Sequence, residues 1–402
     1  MGSKIVAAVD PGTEKVAVLV GEVEPSGTLN IITQVTRPAA GVRRGQVLQF
    51  KQAATVVEEA LGFAEVEASV RIETVYLGQS GGHLEGIMQG GSARSSGVDG
   101  SVTASDVARA VEEAKKRQLG PNRVFIHHIQ NPFRLDGEVV ERPEGLRGDL
   151  IEVDYWSVHG DSRKVSDMIH IINGFGLKVR DVIISSVASG CVTASEDARQ
   201  AGCLVLDMGA GTTDYVLYRG GYILRTGVVP VGGDHLVNDL AIGMRMNVKR
   251  AKEILHEMGR AMVSREDKTE WIRIYGDNLI GDRSISRNGM DRIVEVRLQE
   301  VFEIVKGDLG NQGRPECLAG GVFITGGVSR LARIDLLAKA VFGVPVETSM
   351  VPEWVDQSLR GPEFSTVLGI LHYALTGEME AHDGNRQPEK GFLRKLMRSF
   401  QK

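Results

Sequence analysis

CLVLDMGAGTTDYVLY, residues 203–218, decides the fold of this chain. Cys203–Asp207 is an apolar run of strand length, and Asp214–Tyr218 is another. Between them lies Asp207-x-Gly209-x-Gly211-Thr212-Thr213-Asp214. The spacing predicts a β-turn-β hairpin with an aspartate at the end of its first strand. Such a hairpin makes a phosphate cradle. Glycines let backbone N–H groups converge on phosphate oxygens. The hydroxyls of Thr212 and Thr213 add donors beside Gly209 and Gly211. Asp207 stands where it can hold Mg2+, directly or through water.

Working outward, the N-terminus repeats the pattern. KIVAAV (4–9) reads as a strand, Asp10-Pro11-Gly12-Thr13 as a turn, and KVAVLVGEV (15–23) as the returning strand. Asp10, Gly12, Thr13 and Lys15 are the matching candidates, with Asp10 a second Mg2+ position. A single DxG turn is a common tight hairpin. Two of them in order, 197 residues apart, point to internal duplication into two similar halves. A third element is VFITGGVSRL (322–331), a buried strand running into Gly326-Gly327 and then a helix expected over Ser329–Phe342. The diglycine permits flat approach of a ring or phosphate, and a helix N-terminus favours anions. Gly232 and Gly233 form a fourth glycine turn, at the entry to a helix expected over His235–Gly259.

The intervening chain alternates strands and helices, which indicates an α/β architecture. Thr28–Val35 reads as a third strand after a Ser26-Gly27 turn, and Gln46–Leu61 as a helix. The Gly/Ser-rich stretch 80–101 reads as a loop or domain-edge hairpin. A helix at Thr103–Arg117, with Thr103 and Ser105 as candidate N-caps, is flanked by strands at Arg123–Ile129 and Asp149–Val158, with a turn-rich stretch at 131–147. Together these predict a small α+β module inserted between about 84 and 160. Helices follow over Ser162–Gly174, Val187–Gln200, Asp291–Leu309 and Thr366–Leu375, a strand over Leu177–Ser185, and a polar, irregular region over 260–290. The polar stretch 377–390 reads as a linker.

Glycine accounts for 49 of 402 residues, well above the usual ~7%. With only 12 prolines, that excess predicts tight turns and close backbone approaches rather than a collagen-like chain. The net charge of −5 gives no global basic field, and no nucleic-acid partner is expected. Cys191, Cys203 and Cys317 have no CxxC spacing, which argues for a reducing compartment and against structural zinc. The opening residues are too polar for a signal peptide, and no run of 18 apolar residues predicts a membrane span.

Charge is nevertheless local. Five basic residues and no acidic one lie between Lys390 and Lys402, so the rest of the chain carries −10. In GFLRKLMRSFQK (391–402), Phe392, Leu393, Leu396, Met397 and Phe400 share one arc of a helix. Arg394, Lys395, Arg398 and Lys402 fall opposite. A short basic amphipathic helix after a polar linker reads as an in-plane anchor on an anionic lipid membrane, disordered until bound. The competing reading is a helix that docks on protein.

Asp10–Lys15, Leu206–Asp214 and Ile324–Leu331 resemble the phosphate and adenosine motifs of the actin/Hsp70/sugar-kinase superfamily. Within it the chain is most similar to the FtsA family of bacterial cell-division proteins. The likeness rests on the DPGTEKVAVLVGEV opening, the inserted module with Gly145-Leu146-Arg147-Gly148 before a strand, VPVGGDHLVND (229–239) and the basic C-terminal segment. The resemblance implies an actin-like ATPase fold, two duplicated α/β halves around a nucleotide cleft, binding ATP and Mg2+. It implies a first half (subdomain 1A) from 1–84, 160–200 and 360–376, and an inserted subdomain 1C at 85–159. The second half (2A) would comprise 201–235 and 306–359, with a smaller subdomain 2B at 236–305. Gly326 and Gly327 would lie against the base. Lys252 would lie on the helix that contacts ribose and base, where the family's usual Ala-Glu-x-x-Lys here reads Ala251-Lys252-Glu253-Ile254-Leu255. Relatives that hydrolyse ATP place Glu or Gln before the second hairpin. The comparable Ile184–Val192 offers only Ser185 or Ser186, so turnover is expected to be slow or absent.

The function so implied is polymerisation at the cytoplasmic face of the inner membrane, at the midcell septum. The chain would tether FtsZ filaments through the C-terminal helix, bind the FtsZ C-terminal tail through 2B and recruit later division proteins through 1C; Arg292, Arg297 and Glu300 share one long helix and read first as a plain salt-bridged face, with a part for Arg297 in the FtsZ contact as the alternative. A PilM-type pilus-assembly scaffold is the alternative, followed by a sugar-kinase-like phosphotransferase.

Overall fold

The protein is described from a computed structural model covering residues 4–23, 29–264, 269–274, 281–348, 355 and 357–382. The Ser26-Gly27 turn and the 391–402 segment lie outside these residues.

The N-terminal part runs β1 (Lys4–Pro11), β2 (Lys15–Val23), β3 (Leu29–Pro38), short β4 (Val42–Arg43) and β5 (Gln46–Val47), α1 (Phe50–Ala68) and β6 (Thr74–Gln79). Next come β7 (Glu85–Arg94), α2 (Ala104–Lys115), β8 (Arg123–Leu135), β9 (Glu138–Val140) and β10 (Leu150–Asp161). They are followed by α3 (Ser162–Gly174), β11 (Lys178–Ile184), α4 (Ser185–Thr193) and α5 (Glu196–Ala201). The second part runs β12 (Cys203–Met208), β13 (Thr213–Arg219), β14 (Tyr222–Val229), α6 (Gly233–Gly243), α7 (Val248–Met258), β15 (Trp271–Ile274), β16 (Arg283–Ser286) and α8 (Arg287–Leu309). The chain closes with β17 (Val322–Thr325), α9 (Ile334–Phe342), β18 (Val346–Thr348) and α10 (Ser365–His382).

Two five-stranded sheets share one topology. Their orders are β3-β2-β1-β6-β11 and β14-β13-β12-β17-β18. In each, the first strand pairs antiparallel with the second and parallel with the fourth. The repeat read from two short hairpins therefore extends through both sheets. α1 and α3 cover one face of the first sheet, and α6, α8 and α9 pack in the core on one face of the second.

Between the sheets lie α4 and α10. α10 packs on β1, β2 and β6, and α4 on β12 and β13. Every residue of α4 is buried, so it carries no amphipathic stripe. The two helices meet at Gly369, where a Cβ would lie 1.8 Å from the Ala188 carbonyl oxygen. That contact is one reason for the glycine excess.

β7, β10, β8 and β9 form the sheet of the inserted segment, with α2 packed on it. Thr103 caps α2 through a reciprocal box with Asp106. Within the stretch expected over 80–101 as a loop or domain-edge hairpin, Glu85–Arg94 forms the strand β7. Its glycines make room rather than turns: a Cβ on Gly86 would overlap the Trp156 ring, and one on Gly91 would lie 2.1 Å from the Ala110 oxygen of α2. The buried Trp156 Nε1 donates to Thr226 Oγ1 at 3.0 Å, tying this sheet to β14.

Other boundaries move for local reasons. Gln46–Val47 belongs to β5, and α1 begins at Phe50. β8 continues through Asn131 to Leu135 because its residues alternate between the α2 core and solvent. Ala194 turns to extended backbone and splits the 187–200 helix, with Ser195 capping α5. Arg245 at φ 49° and the Asn247 cap divide the 235–259 helix. The irregular 260–290 region contains the β15–β16 hairpin. The helix expected from Ser329 is a 3-10 turn, Gly327–Arg330, before α9. α10 extends to His382, into the stretch expected as linker.

Candidate functional site

The turns of the β1–β2 and β12–β13 hairpins face each other across a cleft of about 710 Å³. Each turn closes on itself by a backbone bond. Gly12 N–H donates to the Lys15 oxygen at 3.0 Å, and Gly209 N–H to the Thr212 oxygen at 2.9 Å. The hairpins also pack against each other. A Cβ on Gly211 would lie 2.3 Å from Thr13 Oγ1. That hydroxyl oxygen accepts a hydrogen bond from Arg44 N–H at 3.0 Å.

Asp10, Gly12, Thr13 and Lys15 all line the cleft, as do Asp207, Gly209, Gly211 and Thr212. Gly233, Lys252, Gly326 and Gly327 join them. Two expected residues do not face it. Thr213 is fully buried, and its hydroxyl donates to the Val231 carbonyl at 2.9 Å, bracing the turn from behind. Gly232 is pressed against the second hairpin, where a Cβ would lie 2.5 Å from the Gly209 oxygen. Lys252 reaches the cleft, but its ammonium is engaged by Glu14 of the first hairpin, at 2.6 and 2.7 Å.

Three aspartates concentrate negative charge at the floor. Asp207 and Asp214 are 8% and 4% exposed. Burial, with the neighbouring Asp207 charge, pushes both Asp10 and Asp214 up to about 7. Asp207 is also raised by burial, while Thr366 Oγ1 donates to its carboxylate at 2.6 Å. Lys15 supplies a partly desolvated cation, with its Nζ 3.8 Å from the Phe364 ring centroid. Carboxylates strained in this way suit a hard cation. No group of three or more His, Cys, Asp or Glu among the described residues is arranged to hold a metal. Asp10 and Asp207, both lining the cleft, are the carboxylates that could share an ion with water and phosphate.

Several site residues escape sequence reasoning. Ser80, at the end of β6, donates to the Asp214 carboxylate at 2.7 and 2.8 Å, and Thr212 donates to it at 2.8 Å. α4 offers no carboxylate or carboxamide, and its Ser185 lines the cleft. Gln79, paired in register with Ile184, brings a carboxamide there. It is 5% exposed, and its buried Oε1 has no hydrogen-bond partner. Arg330 and Glu363 also line the cleft, as a two-pronged ion pair within electrostatic reach of Lys15. Ser80, Gln79 and Glu363 come from segments far apart in sequence and outside the motifs, while Arg330 lies at the end of 322–331.

A family model described as "Cell division protein FtsA" matches residues 204–369, and one described as "SHS2 domain inserted in FTSA" matches residues 81–159. Over 396 residues the chain is 32% identical to the cell division protein FtsA of Neisseria meningitidis serogroup B, covering 96% of this chain and 93% of that protein. The chain belongs to the FtsA family. Escherichia coli K12 FtsA is 30% identical over 397 residues, 94% of this chain and 93% of its own length. The fold is actin-like. The chain superposes on a PilM-PilN type IV pilus biogenesis complex with a TM-score of 0.61 at 17% identity, covering 92% of this chain and 98% of that one. MreB5 of Spiroplasma citri bound to ADP gives 0.59 at 13% identity, covering 95% and 99%. The inserted sheet of this FtsA-family chain, β7-β10-β8-β9 with α2, lies within the SHS2 match.

Proposed function

We propose that this FtsA-family chain binds ATP with Mg2+ in the cleft, assembles into filaments and holds FtsZ filaments at the cytoplasmic face of the inner membrane at the septum. The observation that carries the reading is the meeting of two glycine hairpins over the buried Asp207 and Asp214 and the half-buried Asp10. Asp10 and Asp207 would hold Mg2+. The backbone N–H groups of Gly12, Gly209 and Gly211, with Thr13, Thr212 and Lys15, would hold phosphates. The ion would neutralise phosphate charge, and this chain's residues would orient the nucleotide. α4 brings only serine hydroxyls and Gln79 a carboxamide, with no carboxylate before the second hairpin, so turnover would be slow.

The subdomain boundaries given by the resemblance belong to the same proposal. In its 2B segment, Asp239, Arg292, Ile293, Val296, Arg297 and Glu300 frame a shallow groove of about 330 Å³. Arg297 is held there by Asp239 at 2.6 Å. This groove supports the segment as the seat of the FtsZ tail, while the 85–159 segment would meet later division proteins. No helix among the described residues is long and apolar enough to cross a membrane. The anchor is assigned to Phe392, Leu393, Leu396, Met397 and Phe400, with Arg394, Lys395 and Arg398 meeting anionic headgroups.

Electron microscopy of the full chain on anionic vesicles, with ATP and with or without residues 391–402, tests this reading. Membrane-bound polymer that needs both ATP and the last twelve residues is the expected result. Polymer or sedimentation unchanged by the deletion would overturn the anchor, and indifference to ATP would overturn the nucleotide role.

A further inference from the structure

We propose that Gln79 positions the water that attacks the γ-phosphorus of ATP, supplying from the end of β6 an acceptor that α4 lacks. The proposal rests on the nucleotide-binding reading and names the side chain that faces the attacking water.

β6 ends between the two halves of the cradle. It pairs in parallel with β1, with Leu77 opposite Val9, so Gly78 comes beside Asp10. A Cβ on Gly78 would lie 3.4 Å from Asp10 Oδ1. Two residues on, Ser80 Oγ donates to the Asp214 carboxylate and lies 3.2 Å from Thr212 Oγ1 of the second hairpin. Gln79 stands between these two contacts and lines the cleft. On its other side it pairs with Ile184 of β11, and Ser185 follows into the same cleft.

The carboxamide is held by one end. Its Nε2 donates to the Ser80 carbonyl at 3.2 Å. That bond sets which end of the amide is the donor, and Oε1 is left as an acceptor with no hydrogen-bond partner among the described residues. The residue is 5% exposed, and a buried amide oxygen is costly to leave unbonded. Lys164 and Ser185 line the same cleft, and neither donates to it. An incoming O–H or N–H is what satisfies it. Ionised phosphate oxygens offer no such proton, whereas a water beside them does.

In the step, the water oxygen bonds to the γ-phosphorus. The bond from that phosphorus to the β–γ bridging oxygen breaks, and its electron pair leaves on ADP. The surplus proton of the water goes to an oxygen of the transferred phosphoryl group, giving dihydrogen phosphate. A neutral carboxamide accepts a hydrogen bond but takes no proton, so Gln79 aligns the water without ionising it. Alignment without a base is consistent with slow turnover.

Single-turnover hydrolysis of Mg-ATP, with equilibrium binding of Mg-ADP alone and with aluminium fluoride, tests this on the full chain. Aluminium fluoride on ADP mimics the transferring phosphoryl group with its water in line. Gln79→Met keeps the length and bulk of the side chain and removes the acceptor. It should lower the single-turnover rate and weaken the aluminium fluoride complex, each about tenfold, and change ADP affinity less than twofold. Gln79→Leu should do the same, and ADP affinity reports that each variant keeps a folded cleft. An unchanged rate, or equal losses for ADP and for its aluminium fluoride complex, would overturn the proposal. So would wild-type protein that binds ATP and does not turn it over. Wild-type protein that binds neither ATP nor ADP would instead overturn the nucleotide reading itself.

Discussion

Gly211 and Thr13, from opposite halves of the chain, meet at the centre of the cleft, and a Cβ on Gly211 would fall 2.3 Å from Thr13 Oγ1. The Arg44 backbone stands 3.0 Å from the same point, so the hydroxyl cannot simply rotate away from an added side chain. Gly211→Val should therefore separate the two hairpins. ATP affinity is expected to fall at least tenfold by calorimetric titration, with overpacking lowering stability by roughly 1–3 kcal/mol.

Asp214 carries a pH signature. Its carboxyl is raised from 3.8 to about 7 by burial and by Asp207. The folded protein therefore holds this proton more tightly than the unfolded chain does. Its contribution to stability is full below pH 4 and is lost as pH rises through 7. Asp214→Asn should stabilise the nucleotide-free protein at pH 8 by roughly 2 kcal/mol, a gain that fades below pH 4. Denaturant melts at pH 4, 6 and 8 measure it, and a pH-independent difference would contradict the assignment.

The α4–α10 crossing tolerates no side chain at Gly369, because the Ala188 carbonyl and Cα occupy its place. Gly369→Ala must push two buried helices apart. A loss of about 3 kcal/mol or failure to fold is expected, whereas Gly62→Ala on α1, with nothing within 4 Å, should be neutral or slightly stabilising. Thermal melts of the two variants decide this.

The hairpins were legible because their chemistry is local. An aspartate, two glycines and threonines between apolar strands define a turn without tertiary context. The duplication followed from them and extends to strand order. β7 was not legible, because glycine signals turns in sequence while Gly86 and Gly91 serve packing against Trp156 and α2. The nature of α4 was hidden for the opposite reason, since burial on all sides removes helical periodicity. At the site, Ser80 meets Asp214, and Arg330 meets Glu363, only once the chain is folded. Lys252 lines the cleft, and its pairing with Glu14, 238 residues away in the chain, is visible only in the fold.

Equilibrium dialysis of the full chain against ATP, with and without Mg2+, tests the central claim most directly. The account predicts one saturable ATP per chain and at least a tenfold loss of affinity when Mg2+ is chelated, because the three aspartates then face the phosphates with Lys15 as their neighbouring cation and no divalent ion. No saturable binding in the presence of Mg2+ would contradict it.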